Sequence, residues 1–366
     1  MANNIFEFAT SELSQDAVIC WCINWLNYSD SSLHQLAVDF IKLIYPDFDE
    51  SIDDEVVILR QFYKTDILAY LKRTGIAIII EDKVYTSEHD DQIERYKNAI
   101  STLSESELRE IGIGRVDQDT IYTVYLKTGE YYDDDKMVAV DCCIQREHIL
   151  ALLDKYKNDN LILSYYYEYL QGINEWYVTN GDVGNIIGEN HWEWNVSKNQ
   201  IAQYNLMRYI FPEEEYWKDK AYYYKVYHGS SFGRPWTEMV IYDDDYDDGR
   251  CWCIFWRIDS DTNGPYISLR LYDGKMDKNK EEHRKMHEEI YEHLRGIAQK
   301  LTQDDTCLNW DSVKYRYTGS SKESTIIRIG LTEYLKSWDA SKYMLSETVT
   351  RFNKNFLICL EKENVK

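Results

Sequence analysis

The chain has 366 residues, a formal net charge of −23, and 44% hydrophobic and 14% aromatic residues. This length predicts two domains, or one large domain with an appendage, and the apolar content suffices for real cores. The absence of any run of about 18 apolar residues excludes a membrane-spanning helix. The acidic balance is awkward for a nucleic-acid enzyme, because phosphate binding rests on Lys and Arg.

The N-terminus has no basic stretch followed by an apolar one, so a cytoplasmic location is expected rather than secretion. The eight cysteines stand as Cys20/Cys22, Cys142/Cys143, Cys251/Cys253, Cys307 and Cys359. None makes the C-x₂₋₄-C pair of a zinc site, and their Trp- and Ile-rich surroundings predict small buried hydrophobes in a reducing compartment. Leu13 to Leu26 reads as a helix apolar almost all round, hence buried, with Ser11 or Ser14 as N-cap. Leu36 to Tyr45 is a second helix, stopped by Pro46. Residues 55–62 read as a strand.

That strand feeds KTDILAYLKRTGIAIIIEDK, residues 64–83, which reads as a tight hairpin turning at Lys72-Arg73-Thr74-Gly75. With the turn centred between Arg73 and Thr74, paired positions sum to 147 and Asp66 faces Glu81. Facing residues have Cβ atoms about 4.5–5.5 Å apart, and Lys83 projects from the same strand face as Glu81. A three-residue loop with a bulge at Gly75 would instead set Asp66 opposite Asp82. Ile76 to Ile80 form a near-continuous apolar run, the mark of a strand covered on both sides. Two carboxylates facing one another there would repel, and a hard divalent cation removes that cost. The competing structural reading is a strand-end salt bridge of Lys83 with Asp66 or Glu81.

Residues 88–103 carry Ile93, Tyr96, Ile100 and Leu103 at 3-4-3 spacing, an amphipathic helix with Ser87 as N-cap. Gln92 and Tyr96, one turn apart, can reach a common point. Asp66, Glu81-Asp82-Lys83 and Gln92-Ile93-Glu94-Arg95-Tyr96, in that order, resemble the PD-(D/E)XK nuclease superfamily, and the Q-x-x-x-Y helix its exonuclease-related branch. IFEFATSELSQDAVICWCINWL looks like the first helix of a poorly characterised bacterial subfamily of that group. The resemblance spans roughly residues 5–160. It departs at Thr65, where proline commonly stands before the aspartate.

The resemblance implies an α/β, restriction-endonuclease-like core (helix, three strands, helix, strand) and Mg²⁺-dependent hydrolysis of DNA phosphodiester bonds, with Mn²⁺ able to substitute. Asp66, Glu81 and the backbone carbonyl of Asp82 would hold one or two metal ions, with Glu12 contributed by the first helix. Glu12 equally suits a helix first turn. Lys83 would position water or neutralise the phosphorane, Gln92 would bind water or substrate, and Tyr96 would orient Gln92 or contact the DNA backbone. Bacterial defence or DNA processing would be the setting.

Thr120 to Leu126 and Met137 to Val140 read as further strands, then Glu147 to Tyr156 and Leu161 to Trp176 as helices. Residues 178–190 read as a linker, dividing a nuclease-like domain at 1–178 from an aromatic-rich domain at 190–366. In the latter a helix at 192–209 precedes strands at 221–228, 237–242, 251–258 and 265–272. A helix at 281–301, strands near 312–317 and 325–330 and a terminal helix at 333–361 follow. This predicts an α+β domain with an antiparallel sheet, engaging substrate, a protein partner or a second copy.

Rival motifs are weaker. Gly229-Ser230-Ser231-Phe232-Gly233 matches the nucleophile elbow, but a strand follows where a helix is required, so it reads as a hairpin loop. His283 and His287 are spaced as in H-E-x-x-H, yet Arg284 replaces the glutamate, and they read as part of a solvated helix face. Gly112 and Gly114 lack a preceding strand for a dinucleotide site. Trp192, Trp194, Trp236, Trp252 and Trp256 read as core and interface residues rather than base-stacking platforms. The runs Asp49–Glu55, Asp133–Asp135, Glu213–Glu215 and Asp243–Asp248 read as solvated loops. A second reading of the whole is a non-catalytic binding or regulatory protein on a nuclease scaffold.

Overall fold

A computed structural model describes residues 4–9, 12–84, 86, 91–136, 138–183, 196–212, 226–231, 234–245, 251–261, 264–274, 276–277, 279–303, 310–311 and 322–363. The chain divides into two compact units, Met1–Trp176 and Tyr177–Lys366. No helix among the described residues is long and apolar enough to cross a membrane.

The first unit is mixed α/β. Helices α1 (Glu12–Asn24) and α2 (His34–Ile44) precede strands β1 (Val56–Phe62), β2 (Thr65–Leu71) and β3 (Ala77–Lys83). Helices α3 (Gln92–Ser101) and α4 (Glu105–Glu110), β4 (Ile121–Lys127), α5 (Asp133–Lys136), β5 (Cys142–Gln145), α6 (Arg146–Tyr156) and α7 (Leu161–Gly181) follow, the last running past the end of this unit at Trp176. The five strands lie in the order β1-β2-β3-β4-β5. The first three pair antiparallel, while β3–β4 and β4–β5 are parallel.

Strand β3 is covered on both faces, as its apolar run requires. Ile78 and Ile80 join a large core with residues of α1, α2, α6 and α7, whereas Ala77 and Ile79 join a smaller one with Tyr96 and Ile100 of α3. The fifth strand lies at Cys142–Gln145 rather than at Met137–Val140. Asp133 and Asp135 are buried, and the short helix they form fills the stretch ahead of it. The stretch 178–190 is not a linker at its start, because α7 runs on to Gly181; residues 184–190 lie outside the described residues, as do Ser11 and Ser87. Ser14 lies inside α1 rather than at its cap.

The expectation of solvated acidic loops fails at one further point. Asp54 is buried, and its carboxylate accepts from the backbone N–H of Arg73 at 2.8 Å, the N–H of Thr74 at 3.0 Å and the Thr74 hydroxyl at 3.0 Å. It thereby fixes the β2–β3 turn. Asp54→Ala would leave those donors without their charged acceptor, and a loss of about 2–3 kcal/mol is expected. The check is a lower urea midpoint at unchanged slope; an unshifted midpoint would show that the turn holds itself.

The second unit carries a six-stranded antiparallel sheet in the order β10-β11-β9-β8-β7-β6. Its elements are α8 (Val196–Ile210), β6 (Val226–Ser231), β7 (Arg234–Asp245), β8 (Cys251–Asp261) and β9 (Gly264–Asp273), then α9 (Glu281–Thr302). Next come β10 (Trp310–Asp311), β11 (Glu323–Gly330), α10 (Thr332–Lys336) and α11 (Trp338–Glu363). Trp252 and Trp256 are core residues, and the Trp256 indole N–H donates to Asn353 Oδ1 at 2.9 Å. Trp236 lies over Gly229, where an added Cβ would meet its ring at 2.5 Å and force it aside, and the segment pairs with β7 as a hairpin.

His283 and His287 are not solvated. Both are buried, because they lie on the inward stripe of α9 with Tyr291, Leu294 and Ala298. His287 Nε2 bonds the Ser324 hydroxyl at 3.0 Å, and the Asp277 N–H donates to His283 Nδ1 at 3.1 Å. Among the described cysteines none is bridged; only Cys22 is fully buried, and Cys251 is exposed. Trp192, Trp194, Cys307, Glu213–Glu215 and the strand at 312–317 lie outside the described residues.

Candidate functional site

The β2–β3 register follows the four-residue turn. Ile67 pairs Ile80 and Tyr70 pairs Ala77, the Leu71 N–H donates to Ile76 O at 2.9 Å, and the Gly75 N–H donates to Leu71 O at 2.8 Å. Gly75 takes φ +72°, which a side chain would strain. One step beyond Ile67–Ile80, this register sets Asp66 beside Glu81. The three-residue alternative does not occur.

The convergence is close. Lys83 hydrogen-bonds Glu81 Oε1, and its Nζ lies 3.7 Å from Asp66 Oδ2. Asp66 Oδ2 also accepts from the Asp82 N–H at 3.0 Å, and Asp66 Oδ1 from the Gln61 amide at 3.3 Å. Gln61 itself sits at φ +53°, an uncommon conformation for a residue that is not glycine. Glu81 and Lys83 are buried. One ammonium faces two carboxylates here, so negative charge is in excess. Burial and then the neighbouring Asp66 charge push the Glu81 carboxyl up to about 7, against the opposing pull of Lys83. Burial disfavours the Lys83 ammonium, but the bond to Glu81 and the charges of Glu81, Asp66 and Glu12 outweigh it and raise its pKa.

Helix α3 completes this face. Tyr96 is buried, and Gln92 Nε2 donates to its hydroxyl at 3.4 Å. Burial raises the Tyr96 pKa first, then the negative charge of Glu81 and Asp66, which places the phenol in the field of the acid pair. Glu12 stands at the exit of β3, where Oε1 accepts from the Val84 N–H and the Thr86 hydroxyl, both at 3.2 Å. It therefore orients the strand end and adds charge near Lys83.

The opposite face of β3 holds a second acidic pair that sequence reasoning passed over. The Asp82 side chain turns toward α1, where the Gln15 amide donates to it. Gln15 Oε1 in turn accepts from the Thr128 hydroxyl at 2.7 Å and from Tyr166 OH at 3.0 Å. Asp16 lies against Asp82 and is 1% exposed. Burial, then repulsion by Asp66, pushes Asp16 up to about 6, with Asp82 and Arg60 opposing. Asp82 is raised as well, through burial first. Asp16 stands one turn after Glu12 on the helix face that also carries Ile19 and Ile23, but nothing local marks Asp82 as its neighbour.

Lys127 was also missed. It pairs in register with Lys83 on the neighbouring strand, is 2% exposed, and bonds Asp135 Oδ1 at 3.1 Å and the Thr86 carbonyl. Burial lowers its pKa, with Asp135 working against that. Its signal was a lone charge ending the apolar strand IYTVYLK, the same position that Lys83 holds in β3.

The donor set can be tested against a hard cation. Glu81 Oε2 is buried without a hydrogen-bond partner, as are Asp16 Oδ1 and Asp82 Oδ2. Among the described residues no group of three or more His, Cys, Asp or Glu side chains is placed to hold a metal alone. Asp66 and Glu81 would offer an ion two carboxylates, with water and phosphate oxygens left to complete its shell, the habit of Mg²⁺.

No protein-family model matches the chain, and no curated protein or solved structure matches it either.

Proposed function

We propose that the first unit is a Mg²⁺-dependent phosphodiesterase acting on DNA, built on a restriction-endonuclease-like core of the PD-(D/E)XK type. The observation that carries this reading is the meeting of Asp66, Glu81 and Lys83 beneath Gln92 and Tyr96 on one face of β3. A divalent ion at Asp66 and Glu81 would supply a water of lowered pKa and offset charge on the scissile phosphate. Lys83 would set its ammonium against the phosphate oxygens as charge builds there. Gln92 and Tyr96 would orient substrate from α3. Glu12 and the Asp82 backbone would brace the strand end. A role in bacterial defence or DNA processing, in the cytoplasm, is part of this proposal.

One observation favours the non-catalytic reading. Lys83 already bonds Glu81 Oε1 and approaches Asp66, and the described residues provide no group of three acidic ligands. Plasmid cleavage separates the two. With Mg²⁺ or Mn²⁺ the wild type should nick or linearise plasmid, EDTA and Asp66→Ala should abolish this, and Tyr96→Phe should slow it about tenfold or more. Equal traces from wild type and Asp66→Ala would leave the scaffold reading standing.

A further inference from the structure

Among the described residues, three of the four non-glycine residues with positive φ fall in the β1–β2 connection. Phe62 pairs with Thr65, which leaves Tyr63 and Lys64 as a two-residue hairpin loop. Their φ angles are +49° and +72°, and Gln61 just before them sits at +53°. A two-residue loop with both φ positive selects Asn-Gly or Gly-Gly, because a Cβ is penalised there. Here a tyrosine and a lysine hold those positions. Ordinary residues kept in such a conformation cluster at sites where function holds them.

The turn stands beside the acid pair. Gln61 donates to Asp66 Oδ1 at 3.3 Å, and Tyr63 is three residues from Asp66, at most about 10 Å along an extended chain. Phe62 packs against the cluster that holds Tyr96, and the Tyr63 ring meets Phe62 edge-on with centroids 4.8 Å apart. Tyr63 is nonetheless 48% exposed, so aromatic surface is offered to solvent on a fixed base. Lys64 is exposed, and among the described residues its ammonium makes no hydrogen bond or ion pair. The Arg95 guanidinium of α3 is exposed and unpaired in the same sense, and its charge acts on the Tyr96 phenol. A braced, open ring beside unpaired cations is the arrangement that stacks unpaired bases and tracks their phosphates. Bases inside a closed duplex have their faces covered by neighbours and cannot use such a ring.

We infer that the β1–β2 turn grips single-stranded DNA for the acid site, with a base beside the scissile phosphate stacked on Tyr63 and flanking phosphates against Lys64 and Arg95. This rests on the nuclease reading for its chemistry, yet it is measured without cleavage. Plasmid remains a substrate where its strands part locally. The experiment titrates a 5′-labelled oligothymidylate, and a duplex of equal length, with the full chain in EDTA at about 50 mM salt and reads anisotropy. The single strand should bind about tenfold tighter than the duplex. Tyr63→Asn should weaken single-strand binding about tenfold at unchanged salt slope. Lys64→Gly should weaken it too and flatten the log–log slope by about 0.7, the value for one phosphate on a single strand. Both replacements suit positive φ, so together they should raise the melting temperature by about 2–4 °C. Stability gained while binding is lost is a result that a merely structural turn would not give. A strand that does not bind, a duplex bound equally well, variants that bind like wild type, or variants that melt lower would each overturn the inference. Added Mg²⁺ separates the two readings. A wild type that binds through the turn but leaves the strand uncut would sink the nuclease reading alone, whereas cleavage by a chain whose variants bind unchanged would sink the grip alone.

Discussion

Replacing Lys83 by alanine is expected to abolish metal-dependent cleavage and to lower the stability of the first unit by about 3 kcal/mol at pH 8. The ammonium bonds Glu81 and approaches Asp66, with side-chain exposures of 11% for Lys83 and 2% for Glu81. Removing it leaves two facing carboxylates without a counter-charge. The penalty depends on pH in a definite sense. Glu81 already titrates at about 7 in the folded chain, above the ordinary value near 4.3, so its ionised form is the costly one. At pH 5 Glu81 is protonated and the loss of Lys83 is mild; as pH rises through 7 the loss grows. Urea titrations of Lys83→Ala and wild type at pH 5 and pH 8, in EDTA, read this directly. Added Mg²⁺ should then recover part of the lost stability in the variant, because an ion that binds only the folded state stabilises it. A variant as stable as wild type at pH 8 and still cleaving DNA would remove Lys83 from the site altogether.

Asp16→Asn should do the reverse and stabilise the unit at pH 8, by about 2 kcal/mol. Asp16 titrates at about 6 when folded, against about 3.9 for an unperturbed aspartate. The folded state therefore holds its proton more tightly than the unfolded chain does. Stability from this group is undiminished below about pH 4 and falls as pH rises through 6, a total near 3 kcal/mol. Arg60, 4.0 Å away, recovers part of what ionisation costs. The neutral amide removes the titration, and it can donate to Asp82 where a shared proton would otherwise sit. Melting in EDTA should show the variant equal to wild type near pH 4.5 and higher by roughly 4–8 °C at pH 8. A variant that melts lower at pH 8 would mean that the Arg60 attraction outweighs burial.

Much of the first unit was legible because strand periodicity carries faces with it. The parity of the Lys72–Gly75 turn placed Asp66 beside Glu81, and alternation then put Lys83 on the same side. The 3-4-3 spacing of α3 likewise put Gln92 and Tyr96 on one side of that helix. What could not be read depended on which helix covers which face. Nothing local says that Gln15 and Asp16 meet Asp82, since that follows from α1 crossing the back of β3. Asp54 and Asp135 looked like members of solvated acidic runs. Their burial is decided by partners distant in sequence or in the preceding strand, the amides of Arg73 and Thr74 and the Lys127 ammonium. His283 and His287 were misread because charged neighbours obscured an inward stripe continued by Tyr291 and Leu294.

The thinness of β3 has a consequence of its own. Asp66 on the front repels Glu81 beside it and Asp16 and Asp82 behind it. Only one layer of backbone divides these groups, too little insulation to make them independent. Proton uptake on the hidden side should ease ionisation on the side that would meet substrate, so the rear pair acts as a built-in bias on the acidity of the front.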